Sequence, residues 1–268
     1  MSEQVGLVNA GNTNTVFGTF DHGRVRRVCC RPTHECTVAE ARRMLAEAQP
    51  RGGSWSALAI AAVVPRALER WIRAARRMRI PVFPVRGDMN PGVPVDVPRP
   101  STLGADRLAN VAGGLARWAA PFIVVDVGTA ATFDVVTPDR GYVGGVIAPG
   151  PDMVRDVLAE RTALLPRISR PADRPVSAVG RTTAEAMQIG TQVGYTGLVR
   201  EILVRIRTEP GMQAAHIVFT GGGARRVVRD LGEPYPVAPE LTLEGVAQLY
   251  RLNTGKSGPA TEDGCREG

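Results

Sequence analysis

Asn9-Ala10-Gly11-Asn12-Thr13-Asn14-Thr15-Val16-Phe17 (NAGNTNTVF) is echoed by Asp126–Asp134, DVGTAATFD. Gly11 matches Gly128 and Thr15 matches Thr132 at one offset (128 − 11 and 132 − 15 both give 117). Each copy reads as strand, small polar turn, strand: Val5 to Ala10 and Thr15 to Phe20 in the first, Phe122 to Val136 in the second. The offset is far longer than the roughly 20–50-residue period of a solenoid. It marks a duplicated half-domain instead. Two such halves facing each other would form a cleft, the favoured place for a ligand.

Between the copies the chain alternates strands and helices, which places it in the α/β class. Ser56 to Val64 reads as a buried strand ending at Pro65, followed by a basic helix over Arg66 to Arg79 and a short strand over Ile80 to Val85. Residues 86–103 are rich in Pro and Gly and read as a loop with little regular structure, of the kind that covers a site or is mobile. A helix is expected from Ala105 to Ala119. After the second copy come a strand at Tyr142 to Ile147 and a helix from Asp152 to Ala163. Thr182 and Glu185 have the spacing of a capping box. The helix they open carries Gly190, Gly194 and Gly197, a stripe suited to close approach of another helix, from a second subunit in the simplest case. His216 to Phe219 reads as a strand entering Thr220-Gly221-Gly222-Gly223, and the last helix spans Thr242 to Leu252. The domain boundaries expected are 1–115, 116–253 and a polar, disordered tail over 254–268.

The composition narrows the class further. With 268 residues and 44% hydrophobic content the chain can bury a full core. No apolar stretch reaches the about eighteen residues of a spanning helix, and no basic leader precedes an apolar block. The four cysteines do not form a disulfide framework. The cytoplasm is therefore the expected location and no membrane contact is expected. The formal charge of +7 is almost all arginine, since Lys256 is the sole lysine. Its densest run, Arg66 to Arg79, interleaves Leu68, Trp71, Ile72 and Ala75 at helical spacing, so it reads as a solvated helix face. A nucleic-acid partner is not expected.

Four elements have the residue types that phosphoryl chemistry needs. In the two turns, glycine lets backbone N–H groups approach an anion while Asn or Thr adds donors. Asp126, at a strand end, suits Mg²⁺ held through water, and Asp134 lies one strand later. Thr220-Gly221-Gly222-Gly223 would let adenine or ribose lie against backbone at a sheet edge. Asp106 and Arg107, opening a helix, can accept a hydroxyl proton and balance phosphoryl charge. Taken singly, each has an ordinary structural explanation.

The ordered set resembles the type III pantothenate kinases. Leu7 to Phe20 is similar to their first phosphate motif, Leu103-Gly104-Ala105-Asp106-Arg107 to their catalytic Gly-x-Asp-Arg segment, and Val125 to Asp134 to their second phosphate motif. Gly144 to Pro166, Gly180 to Met187, Thr220-Gly221-Gly222 and Leu241 to Gly245 follow in the same order, up to about Asn253. The resemblance implies two ribonuclease-H-like domains of the actin-like ATPase superfamily, a homodimer, and ATP-dependent phosphorylation of the primary hydroxyl of pantothenate, the first step to coenzyme A. It implies Mg²⁺ and a monovalent cation, K⁺ or NH₄⁺. On this pattern Asp106 is the general base and Arg107 a substrate or phosphate contact. Asn9, Gly11, Asn12, Thr13, Gly128, Thr129 and Thr132 line the phosphates, and Thr220, Gly221 and Gly222 the adenosine. Val97, Gly104 and Thr183 meet the substrate, Thr183 from the partner subunit, and Asp126 holds the cation.

Three departures stand out. Asn9 occupies the slot where the family has Asp, which should weaken metal binding. Val97 replaces the usual Tyr, with Arg99-Pro100 for Asn-Pro, and Ala131 replaces Thr. These leave two alternatives open, a divergent kinase for another small hydroxyl compound and a catalytically weak regulatory subunit. Thr254-Gly255-Lys256-Ser257 lacks the first glycine of a Walker A loop. Cys29, Cys30, Cys36 and His34 lack zinc-site spacing and read as reduced structural thiols.

Overall fold

The computed structural model describes residues 4–49, 53–169 and 177–255. The chain folds into two compact units. The first takes the chain up to Gly92, Ser101–Ala112 and the part from Leu243; the second takes Val93–Pro100 and Gly113–Thr242.

The first unit contains β1 (Val5–Ala10), β2 (Asn14–Asp21), β3 (Arg24–Pro32), α1 (Val38–Glu47), β4 (Ala57–Ala62), α2 (Pro65–Arg77) and β5 (Val82–Pro84). Its sheet has the order β3-β2-β1-β4-β5. β2 runs antiparallel to β1 and β3, while β4 runs parallel to β1 and β5. The apolar runs of β1 and β4 (VGLVNA, ALAIAA) are those of strands covered on both faces. On one face Val8, Ala10, Phe17, Leu58 and Ile60 pack against Met44 and Leu45 of α1 and Trp71 and Ala74 of α2. Truncating the fully buried Trp71 to Ala would cost about 3–5 kcal/mol. Helix α3 (Ala105–Leu115) begins in this unit, and most of α7 (Leu241–Thr254) belongs to it. α7 lies on the opposite face, where Leu243 fills the space a side chain on Gly18 would take and Tyr250 meets Phe83 edge-on, ring centroids 5.3 Å apart. Gly245 lies so close to the Ala109 carbonyl that no Cβ fits, which ties α7 to α3.

The second unit repeats the path with β6 (Phe122–Val127), β7 (Ala130–Thr137), β8 (Gly141–Pro149), α4 (Pro151–Arg161), α5 (Thr183–Thr208), β9 (His216–Thr220) and α6 (Ala224–Leu231). Its order is β8-β7-β6-β9. One parallel bridge from Phe219 to Val237 marks the place of a fifth strand. Ile123, Val125, Val127 and Phe133 pack against Tyr195, Val199 and Leu203 of α5 and Val227 of α6. The repeated order is the duplicated ribonuclease-H-like topology that the 117-residue echo implies.

Several elements differ from the sequence expectation. β3 is invisible to apolar pattern because RVRRVCCRP is an edge strand with most of its residues exposed. α1 and α6 are short helices that the alternation does not single out. The helix from Ala105 stops at Leu115, and the N–H groups of Arg117 and Trp118 turn back to the Gly114 carbonyl at 3.0 and 2.8 Å. Residues 86–99 have no helix or strand, as the Pro- and Gly-rich pattern implies, but 93–97 are docked by a single bridge. Val95 bridges Tyr142, Tyr142 N–H donates to Pro94 and Asp96 N–H to Tyr142 (both 2.9 Å), and Arg140 Nε donates to Asp96 at 2.6 Å. The capping box is present, with Thr182 Oγ1 accepting from Glu185 N–H at 3.2 Å and Glu185 Oε2 from Thr182 N–H at 3.3 Å. The stripe of Gly190, Gly194 and Gly197 faces open space, with Val193 and Val204 exposed beside it. No helix among the described residues is long and apolar enough to cross a membrane. The tail from Lys256 lies outside the described residues.

Candidate active site

In the first unit, the β1–β2 turn is closed by Gly11 N–H donating to Asn14 O at 3.0 Å, leaving Asn12, Thr13 and Asn14 exposed. Val8 and Ala10 point into the α1–α2 core, so strand alternation places Leu7 and Asn9 on the α7 face. Asn9 Oδ1 is buried without a hydrogen-bond partner. Its cross-strand neighbours, Val16 and Ala61, have no side-chain donor to offer. Beside the same sheet edge, Val63 N–H donates to Ala10 O at 3.1 Å. Ala62, Val63 and Val85 then line a cavity of about 380 Å³ together with Gly104 and Ala105 from the start of α3. Asp106 follows directly. Its Oδ1 accepts from Arg107 N–H at 2.8 Å and lies against Gly104. Burial pushes its carboxyl pKa up, opposed by the Arg107 amide and guanidinium. A half-buried carboxylate with a raised pKa beside a cavity is suited to accept a proton.

In the second unit the β6–β7 turn is one residue shorter. Ala10 pairs with Thr15 across the first turn, whereas Val127 pairs with Ala131 across the second, which Gly128 N–H closes by donating to Ala130 O at 3.0 Å. The ungapped match therefore needs a correction: the positional counterpart of Thr15 is Ala131, and Thr132 lies opposite Asp126. On the other side Asp126 pairs with Thr220. Thr132, Asp126 and Thr220 thus form a polar row at the carboxyl edge of the sheet, with side chains on one face. Thr220 is fully buried and its Oγ1 has no hydrogen-bond partner.

Backbone closes around this row. Gly221 has φ +87° and lies so near Asp126 Oδ1 and the Val127 carbonyl that a Cβ cannot fit. Gly223 N–H donates to Val127 O at 2.9 Å, and Gly150 N–H donates to Thr129 O at 2.9 Å. Glycine turns beside a carboxylate and two hydroxyls match the needs of phosphate oxygens and a hydrated cation. Asp134 is buried one step behind this row, where its carboxylate accepts from Tyr142 OH at 2.9 Å and from Thr132 Oγ1 at 3.4 Å.

A metal can be tested against these donors. Among the described residues no group of three or more His, Cys, Asp or Glu could hold an ion, and Cys29, Cys30 and Cys36 are free thiols. That excludes a zinc-type set there but fits Mg²⁺, which keeps several waters and needs one or two carboxylates. In the second unit Asp126 is the candidate carboxylate for such an ion; in the first, Asn9 offers only an orphaned amide oxygen. Val97 packs on β8 beside Gly144, and Thr183 is exposed at the start of α5.

Sequence reading missed Thr33 and Gly150, which contact the turns from the ends of β3 and β8. It also missed Gln192 Oε1 and Tyr195 OH, buried without partners beside a cavity of about 30 Å³ between α4, α5 and α6. That is room for one or two waters. Burial pushes the Tyr195 pKa up, so its hydroxyl stays protonated.

A family profile described as type III pantothenate kinase matches residues 7–205. A type III pantothenate kinase of Akkermansia muciniphila is 40% identical over 225 residues, covering 83% of this chain and 87% of its own. One from Thermomicrobium roseum is 35% identical over 257 residues, covering 91% and 95%. Among solved structures, the activator of 2-hydroxyisocaproyl-CoA dehydratase from Clostridium difficile, with bound ADPNP, gives a TM-score of 0.53 at 14% identity, covering 96% of each chain. At that identity the likeness shows the fold alone.

Proposed function

The chain belongs to the type III pantothenate kinase family, and from that premise we propose that it transfers the γ-phosphoryl group of ATP to the primary hydroxyl of pantothenate, opening coenzyme A synthesis. The observation that carries this reading is Asp106, a half-buried carboxylate of raised pKa directly after Gly104 and Ala105, which line a cavity in the first unit. Asp106 takes the proton of the attacking hydroxyl, whose oxygen forms the new bond to phosphorus as the bond to ADP breaks. Arg107 balances charge on the transferring group. Gly11, Asn12, Thr13, Gly128, Thr129 and Thr132 are the residues this reading assigns to phosphate oxygens. Thr220, Gly221 and Gly222 support the nucleoside. Asp126 would hold Mg²⁺, which when bound would neutralise phosphate charge, with Asn9 a weaker substitute for the usual carboxylate, and K⁺ or NH₄⁺ belongs to the same reading. So do a cytoplasmic location and a homodimer, formed through the open glycine stripe of α5 and bringing Thr183 to the partner's substrate.

The test is a coupled assay of ADP release with and without pantothenate, Mg²⁺ and K⁺ present. Release should require pantothenate and fall about 10²–10⁴-fold in Asp106→Ala. ADP release that is indifferent to pantothenate, or that survives this substitution, sinks the assignment.

A further inference from the structure

We propose that Thr33 is a positioning residue that aims the amides of the first turn at the phosphate chain. Thr33 is buried, directly after Pro32 at the end of β3. Its N–H donates to Thr13 O at 2.8 Å, and its Oγ1 donates to Gly11 O at 2.7 Å. The single hydroxyl proton is committed to Gly11, so the 3.0 Å contact with the buried Thr15 Oγ1 has Thr15 as donor. One residue therefore grips the carbonyls on both sides of Asn12.

The consequence follows from peptide geometry. The Gly11–Asn12 and Thr13–Asn14 bonds are trans, so in each planar unit the N–H points opposite to the C=O. Holding the Gly11 and Thr13 carbonyls inward turns the N–H groups of Asn12 and Asn14 outward, the arrangement an anion needs. The second unit repeats the device with different chemistry. Pro149 and Gly150 follow Pro32 and Thr33 at the offset of the sequence echo (149 − 32 and 150 − 33 both give 117). Gly150 N–H grips Thr129 O at 2.9 Å, as Thr33 N–H grips Thr13 O. Gly150 has no side chain, and the Gly128 and Thr129 carbonyls occupy the space where one would start. The longer first turn has one more peptide to orient, and the Thr33 hydroxyl orients it.

This rests on the phosphate-binding reading of that turn. The test compares Thr33→Val, which keeps the shape and loses the hydroxyl, with Thr33→Ser, which keeps the hydroxyl. Thr33→Val should lose about 10–100-fold in kcat/KM for ATP, as small misplacements of binding groups do. Its KM for pantothenate should be unchanged, and Thr33→Ser should stay within about 3-fold of wild type. Thr33→Val near wild type, or Thr33→Ser falling as far as Thr33→Val, overturns the proposal. If Thr33→Val does not fold, amide NMR of the wild-type chain decides. Mg·ADP should shift the Asn12 and Asn14 resonances, and their failure to move overturns it. Wild type that binds ADP but ignores pantothenate refutes the kinase assignment and leaves the clamp standing.

Discussion

At the carboxyl edge of the first sheet, Asn9 lies between Val16 and Ala61; at that of the second, Asp126 lies between Thr132 and Thr220. The strand arrangement is the same in both places, two antiparallel strands, a glycine turn and a parallel neighbour, with the second turn one residue shorter. The side chains have diverged, into an uncharged edge with one orphaned oxygen and a charged edge lined by hydroxyls. Duplication supplied two equal scaffolds, and their roles have since separated. The second edge suits phosphate and cation. The first unit contributes Asp106 and the cavity beside it.

The harshest way to break the comparison is to make the edges alike. Asp126→Asn gives the second edge the amide of the first. Loss of the only carboxylate in that row should lower kcat/KM about 10²–10³-fold, the usual cost of removing one preorganised electrostatic contact. Thermal denaturation of the variant checks that the loss comes from the site and not from unfolding. Activity near wild type would mean that the division of labour is wrong.

The reverse change is milder. Asn9→Asp restores the carboxylate that the second edge has. Because Mg²⁺ favours carboxylate oxygen, the Mg²⁺ concentration for half-maximal rate should fall about 10-fold, with a smaller change in turnover. Turnover that instead climbed by about two orders of magnitude would mark the natural chain as a degenerate enzyme. An unchanged Mg²⁺ dependence would remove Asn9 from the metal site.

How much of this was legible in the sequence depends on which physical signal each element leaves. β1, β4, β6 and β9 are apolar runs ending at turns and are plain to read. The glycines and Asp106 are ordinary one by one and become legible only as an ordered set. The one-residue difference between the turns is not legible, because the ungapped echo aligns Thr15 with Thr132 while ladder register alone reveals Ala131. Thr33 is hidden for a different reason. It follows a charged edge strand and lies outside both motifs, and its importance consists of hydrogen bonds that leave no sequence pattern. The docking of residues 93–97 on β8 is a tertiary contact of the same kind.

Asp106 gives a pH test of the first edge. Its folded pKa is raised, so the folded chain holds this proton more tightly than the unfolded chain does. Between the ordinary aspartate value of about 3.9 and the raised one, stability falls as pH rises, and the cost is full above both. Asp106→Asn cannot ionise, so its Tm advantage over wild type should grow as pH rises through that window and reach about 2–4 °C per kcal/mol relieved. The acid limb of kcat/KM in wild type should lie above about 3.9 for the same reason. A Tm difference that does not vary with pH would show that burial does not perturb this carboxyl.

The smallest effects distinguish the two kinds of orphaned hydroxyl in the second unit. Thr220 Oγ1 and Tyr195 OH are both buried without partners, so removing either should be near neutral for stability, within about 1 kcal/mol. Their settings differ. Thr220 stands in the polar row with Asp126, while Tyr195 packs among the α5 and α6 core side chains. Thr220→Val should therefore raise the KM for ATP several-fold, about 1 kcal/mol of lost binding, at unchanged Tm. Tyr195→Phe should alter neither quantity. If Tyr195→Phe weakened ATP binding as much as Thr220→Val, the functional edge would extend past the turns to the cavity between α4, α5 and α6. The contrast between the two edges would then lie in an additional cavity as much as in a row of side chains.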